Sequence, residues 1–263
     1  MITVFLLSLL AGALAGLLAG LFGIGGGLVL VPLLALLFAE QKFPSEISMI
    51  MAVATSLATI VITSTSSIIA HHRLGSVLWS KVFRLAPGIM LGASLGATVA
   101  DFVSAEALRY FFAGFLAYVG LQMALQIRLD APAMTQSPGQ DFWVGSGIGM
   151  LSALLGIGGG TLTVPYLVGG RYPIRNAVAV ASACGFPIAL SGTVSYALLG
   201  WGQAGLPEWS LGYIYMPAFI GIVMCSVVTA PLGAKLAHIL PAQQLKRYFS
   251  VLVFLMAVKL IWD

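Results

Sequence analysis

GLFGIGGGLVLVPLL, residues Gly20 to Leu34, returns as ALLGIGGGTLTVPYL, residues Ala153 to Leu167. The pentad Gly23-Ile24-Gly25-Gly26-Gly27 recurs as Gly156-Ile157-Gly158-Gly159-Gly160, and Pro32 recurs as Pro165. Each copy sits between apolar runs, so one unit has been built twice and each is interrupted by near-bare backbone. The halves align beyond the pentad. Phe43-Pro44 matches Tyr172-Pro173, Ala54-Thr55-Ser56 matches Ala181-Ser182-Ala183, Ser64 matches Ser191, Gly75 matches Gly202, and Gly96-Ala97 matches Gly233-Ala234.

The rest of the composition says which solvent these runs face. Of the 263 residues 60% are hydrophobic and 8% charged, against roughly 25% charged in a soluble domain. With a mean hydropathy of +1.04 this reads as an all-α integral membrane protein, with room for about eight embedded segments and none for a soluble catalytic domain. Met1 to Gly20 is apolar but lacks the basic start of a secretory signal, and its counterpart Phe142 to Leu155 is internal, so it reads as a mature helix. The net charge of +4 comes from basic residues scattered singly through short loops, which excludes a nucleic-acid surface and reads as a topology signal. Cys184 and Cys225 both lie in apolar runs, where neither a disulfide framework nor a CxxC metal site is indicated.

The polar connector Arg128 to Asp141 divides the chain into a first transmembrane repeat, 1–127, a linker, 128–141, and a second transmembrane repeat, 142–263. If each glycine-broken run crosses the membrane once, the basic residues divide five against seven and decide nothing. If each dips in and returns, Lys42, Arg109 and Lys259 stand alone against the other nine of twelve, the asymmetry the positive-inside rule expects. The arms 142–155 and 161–172, about 21 and 18 Å as helices, are each too short for a hydrocarbon core of roughly 30 Å. The expectation is therefore two inverted repeats of helical spans, each opened by a Gly-broken re-entrant or hairpin element. The protein is expected to be multi-pass in the cytoplasmic membrane, with both termini on the outer face.

Irregular backbone at membrane depth is tolerated only inside protein or beside a water-filled cavity, and glycine lets a ligand approach closely. The helix that follows each pentad points unpaired N–H groups, and the positive end of its dipole, into the loop, which attracts an anion. Gly25, Gly26, Gly27, Gly158, Gly159 and Gly160 are accordingly candidate substrate-binding residues. Gly12, Gly16 and Gly20, spaced by four, read instead as tight helix packing. The next helix carries hydroxyls: Thr55, Thr59, Thr63 and Ser66 share a face in the first half, and Ser182, Ser191, Thr193 and Ser195 occupy the second. Hydroxyls donate to oxyanions without fixed charge, and Thr55, Ser56 and Ser182 rank highest because the repeat alignment keeps a hydroxyl in this element, Thr55 matching Ser182 with Ser56 beside it. His71 and His72, beside Arg73, read as interfacial. No Asp, Glu, Lys or Arg falls in the middle of a run, so a carboxylate proton relay is not expected.

With these features, the paired GIGGG...VP segments, Ala54-Thr55-Ser56, the H-x-x-G of His72 to Gly75 and the late Gly-Ala pairs, the chain resembles the sulfite exporter TauE/SafE family of membrane permeases over nearly its whole length. The resemblance implies movement of sulfite or small organosulfonates, commonly export, with the glycine loops and neighbouring polar residues lining the route. The second copy departs from the pattern: Ser182-Ala183 replaces Thr55-Ser56, and no His precedes Gly202. The expected partners are a small anionic substrate and the lipid bilayer, with room for a homo-oligomer. Nothing matches HExxH, Ser-His-Asp or a P-loop, so no catalytic residue, metal or cofactor is assigned and an enzyme is not expected. The alternatives are an anion channel, an importer of another small oxyanion, or a membrane-embedded sulfur-transfer protein using Cys184.

Overall fold

The structure, a computed structural model, describes residues 2–22, 26–125, 137–237 and 242–262, with the side chains of 2–4, 19–22, 231 and 233–249 excepted. Gly23, Ile24 and Gly25 of the first pentad and residues 128–136 of the expected linker lie outside these. The described residues form ten helices. The first half carries α1 (Ile2–Phe22), α2 (Gly27–Glu40), α3 (Ser45–Arg73), α4 (Trp79–Phe102) and α5 (Ala105–Ala124). The second carries α6 (Pro138–Leu155), α7 (Gly160–Gly169), α8 (Ile174–Leu199), α9 (Met216–Ala237) and α10 (Ala242–Trp262), with a ribbon of β1 (Ser210–Leu211) and β2 (Ile214–Tyr215) between α8 and α9.

Local chemistry sets most boundaries. Pro44 and Pro173 hold the extended approach to α3 and α8, since their fixed φ and missing N–H suit a helix entry. Ser104 accepts from the Ala107 N–H to open α5, and a Ser137–Gln140 capping box with Pro138 in the first turn opens α6. The α6 start thus falls inside the stretch read from sequence as linker. Helix α3 ends when the Gly75 N–H reaches His72 O and the Ser76 N–H reaches His71 O, a Schellman closure that needs the left-handed φ of 62° at Gly75. The H-x-x-G motif is therefore a helix terminator. The same closure follows α2 and α7, where Lys42 and Arg171 hold the left-handed position without being glycine.

Among the described residues four helices, α3, α4, α5 and α8, are long and apolar enough to cross a membrane. Leu91, Leu95, Phe111, Leu121, Val194 and Leu198 point outward from them, which suits lipid contact. Trp79, Trp143, Trp201, Trp209 and Trp262 are all exposed, at or near helix ends. The more buried of these four, α3 and α8, pack on one another at the centre, with α2 leaning on α3 and α7 on α8. Around them α4 crosses α6, α1 crosses α9, and α5 lies beside α10.

Exchanging the halves exchanges these crossings. On α6, Gly145 faces the Leu85 carbonyl and Gly149 that of Ile89; on α1, Gly12 faces the Ile222 carbonyl and Gly16 faces Ser226. Gly88, Gly92 and Gly96 complete the α4 side against the Phe142, Ser146 and Met150 carbonyls. A methyl at most of these sites would overlap backbone. Small residues let membrane helices touch main chain to main chain, so both crossings are rigid contacts. The packing role expected for Gly12 and Gly16 is what the structure shows; the surroundings of Gly20 lie outside the described side chains. The β ribbon reaches back over the first half: Tyr215 stacks edge-on against Phe38 and Phe43, and the Tyr213 hydroxyl donates to Asp101 at 2.6 Å. Burial, and then the Asp101 carboxylate, push the Tyr213 phenol above its ordinary range, so it stays a donor.

Candidate functional site

The second pentad begins as a helix stop. Ile157 N–H bonds Ser152 O at 3.0 Å and Gly156 N–H bonds Ala153 O at 3.3 Å, closing α6 with Gly156 at φ 63°. This conformation costs an L residue roughly 1–2 kcal/mol, and a side chain there would also meet Val31 and the Val53 backbone. The Tyr196 hydroxyl donates to Ala153 O at 3.0 Å from inside the bundle, adding a partner for the carbonyls of the last turn. Ile157, Gly158 and Gly159 are buried, and helix α7 restarts at Gly160.

The two pentads meet. Gly27, the first residue of α2, lies against Gly156 and Ile157: a Cβ on it would stand 2.5 Å from Gly156 O and 2.8 Å from Ile157 Cα. Ser56 Oγ donates to that same Gly156 carbonyl at 2.8 Å, so α3 of one half braces the loop of the other. Gly26, at φ 75°, offers its carbonyl to the N–H groups of Val29 and Leu30 and opens α2. Gly25 lies outside the described residues.

The candidate hydroxyls divide into two groups. Thr55 Oγ1 accepts from the Tyr215 N–H at 3.0 Å, which leaves its own proton to give, while Ser56 has committed its single proton to Gly156. Thr59 donates to Ser56 O, and Thr63 and Ser64 donate to carbonyls of their own helix. Ser191 and Ser195 tie α8 to Ser94 of α4. By contrast, Ser182 Oγ is buried without a hydrogen-bond partner among the described residues, as are Thr161 Oγ1, Thr163 Oγ1 and Thr193 Oγ1. Buried polar atoms are nearly always paired; Ser8, Arg109, Ser152 and Ser210 also carry such atoms, and what sets Thr161 and Thr163 apart is that they immediately follow the second pentad. Thr163 Oγ1 and the Ala181 carbonyl both lie about 3 Å from where a Gly159 side chain would begin, and Ser182 follows Ala181. Thr161 and Thr163 were missed in reading the sequence. The signal was present, because the first copy has Leu28 and Leu30 in their places.

A second feature also escaped that reading. Lys81 Nζ lies 2.6 and 2.8 Å from the two carboxylate oxygens of Asp141, with side-chain exposures of 3% and 0%. The Tyr166 hydroxyl donates to Asp141 Oδ1 at 2.7 Å, and the rings of Tyr166 and Tyr172 lie 5.6 and 5.4 Å from the ammonium. Read as sequence, Lys81 is a topology charge and Asp141 the last residue of a linker; each falls in the first turn of a helix, and only packing brings them together. His72, for its part, accepts from Trp79 Nε1 at 3.1 Å at an exposed edge, as an interfacial residue does.

The family model for "Sulfite exporter TauE/SafE" matches residues 8–260. A protein of Haemophilus influenzae named "Probable membrane transporter protein" is 41% identical over 99% of both chains. Proteins of the same designation from Methanocaldococcus jannaschii and Xylella fastidiosa are 26% and 28% identical, each over 96% of this chain and 93% of their own. No solved structure matches. The doubled GIGGG...VP segment, the apolar helices and a family match over nearly the entire length agree: this chain belongs to the sulfite exporter TauE/SafE family of membrane proteins.

Proposed function

We propose that the protein is a transporter that exports small sulfur oxyanions, sulfite or organosulfonates, across the cytoplasmic membrane. The observation that carries this is a pair of buried hydroxyls without a hydrogen-bond partner among the described residues: Thr163, whose oxygen lies beside Gly159, and Ser182, which follows the Ala181 carbonyl that faces the same glycine. An oxyanion seated there accepts from those hydroxyls and from the first amides of α7, which helical geometry leaves without acceptors. Weak neutral donors suit an ion that must also leave. Thr55, Gly26 and Gly27, with Gly25, contribute from the first half, and Ser56 holds the Gly156 carbonyl turned away from the anion.

The halves are inverted repeats, each opened by a glycine-broken re-entrant element, and alternating access comes from one rocking against the other. The equivalence of the α4–α6 and α1–α9 crossings on exchange of the halves favours the repeat, and because each locks a helix of one half to a helix of the other, the rocking falls to the elements outside these contacts. The domain division at 1–127, 128–141 and 142–263 follows from the same reading. Uptake of radiolabelled sulfite into proteoliposomes, with sulfoacetate and sulfate as competitors, is the direct trial. Flux that is lost in Gly26→Val and Gly159→Val supports the cradle; wild-type vesicles indistinguishable from empty ones for every sulfur oxyanion would sink it.

A further inference from the structure

We propose that Lys81, with the hydroxyl of Tyr166, forms a second anion-binding site on the transport route, and that Asp141 is the internal anion occupying it in the unloaded protein. The identity of the transported anion rests on the preceding reading; the chemistry of the site does not.

The donor set already holds an oxyanion. Asp141 receives two contacts from the Lys81 ammonium and one from Tyr166, and the aromatic faces of Tyr166 and Tyr172 shield the cation. A sulfite or sulfonate oxygen presents the same acceptor chemistry as the carboxylate.

Fold stability does not account for the pair. A buried ion pair surrenders the hydration of both charges, and its mutual attraction often fails to compensate. Lys81 stands in the first turn of α4, where the helix dipole opposes a cation, so helix stabilisation does not explain it either. The repeat supplies an internal control. Ser8 and Ala218 occupy the places of Asp141 and Lys81 at the α1–α9 crossing, both are fully buried, and that crossing packs as closely through its glycines. The architecture therefore closes without the charges.

Position connects the pair to the first site. Thr163 and Tyr166 lie three residues apart on one face of α7, about 4.5 Å along its axis, so the helix that starts at the second pentad carries donors of both sites. Lys81 and Asp141 sit on α4 and α6, locked to each other by main-chain contact, whereas α7 packs chiefly on α8. Movement of α7 relative to the locked pair withdraws Tyr166 from Asp141 and uncovers the ammonium, which then accepts the incoming anion in place of the carboxylate.

The test measures sulfite binding to the purified full-length protein by tryptophan fluorescence, alongside flux in proteoliposomes. Asp141→Asn removes the internal competitor and is expected to lower the half-saturating concentration roughly tenfold. Lys81→Gln removes a charge-assisted contact and is expected to raise it roughly tenfold or more. The double variant Lys81→Ala with Asp141→Ser installs the pairing the other crossing already tolerates; it should fold with a wild-type melting profile and bind like Lys81→Gln. A purely structural clamp predicts loss of stability in the single variants with no opposite shifts in affinity. Half-saturation of the double variant within about twofold of wild type overturns the proposal, even if a single variant fails to fold. Wild-type flux with unshifted variants refutes this inference alone. Opposite affinity shifts without sulfite flux refute the transport reading alone, and absence of binding by wild type and Asp141→Asn refutes both.

Discussion

Gly27→Ala tests whether the halves meet through bare backbone. The added methyl would lie 2.5 Å from Gly156 O and 2.8 Å from Ile157 Cα, inside the roughly 3.5 Å at which non-bonded carbon atoms rest. Neither neighbour is the end of a flexible side chain, so α2 and the second pentad must part by roughly 0.7–1 Å. The Gly156 carbonyl is also the acceptor for Ser56 at 2.8 Å, and a shift of that size carries the bond to about 3.5 Å, where it ceases to count. Overpacking of this kind costs about 1–3 kcal/mol and the hydrogen bond about 1 kcal/mol, together about 2–4 kcal/mol. For a chain of this length that is a fall in melting temperature of roughly 4–16 °C. Thermal unfolding of the purified protein in detergent reads it. Gly114→Ala is the control: nothing lies within 4 Å of a Cβ on this glycine, so the change should be within about 1 kcal/mol and in the stabilising direction. If Gly27→Ala melts with wild type, the close approach of the two pentads is wrong.

Thr55→Val removes the acceptor of the Tyr215 N–H and should cost about 1–3 kcal/mol in the same assay, while Thr55→Ser retains it. Ser182→Ala removes a hydroxyl that no described residue satisfies, so stability should hold or rise slightly while the half-saturating sulfite concentration in flux assays rises; a destabilised but fully active variant would contradict its assignment. Lys42→Gly relieves a left-handed φ of 58° and should raise the melting temperature by the equivalent of about 1 kcal/mol. Cysteines introduced at Arg73 and Gln203 should label from opposite sides of the membrane, inaccessible from outside at the first and accessible at the second. The reverse pattern defeats the inverted arrangement.

The helices that sequence patterns announce are those whose ends have local causes. Pro44, Pro173, Ser104 and Gly75 act within a few residues of themselves, so the starts of α3, α5 and α8 and the stop of α3 are legible before any tertiary contact forms. The start of α6 was misjudged for a related reason: Pro138 and Gly139 look like linker composition, yet Ser137 and Gln140 make them a capped first turn. Of the pentad glycines, Gly26 and Gly156 hold the left-handed backbone that a run of glycines announces, while their part in binding belongs to the proposal. The three hydroxyls looked alike, and the fold separates them by giving Thr55 and Ser56 partners on distant elements and giving Ser182 none among the described residues.

The amino-acid sequence by itself determined that the chain is membranous, helical and duplicated, and where its backbone is bared, because hydropathy, repetition and glycine content act locally. Only the tertiary structure decided that Gly27 abuts Gly156, that Lys81 finds Asp141, and which hydroxyls lack a partner among the described residues. Those outcomes depend on partners that lie far apart in the chain, and whether a buried polar atom is satisfied is a property of what packs against it, not of the residue that bears it.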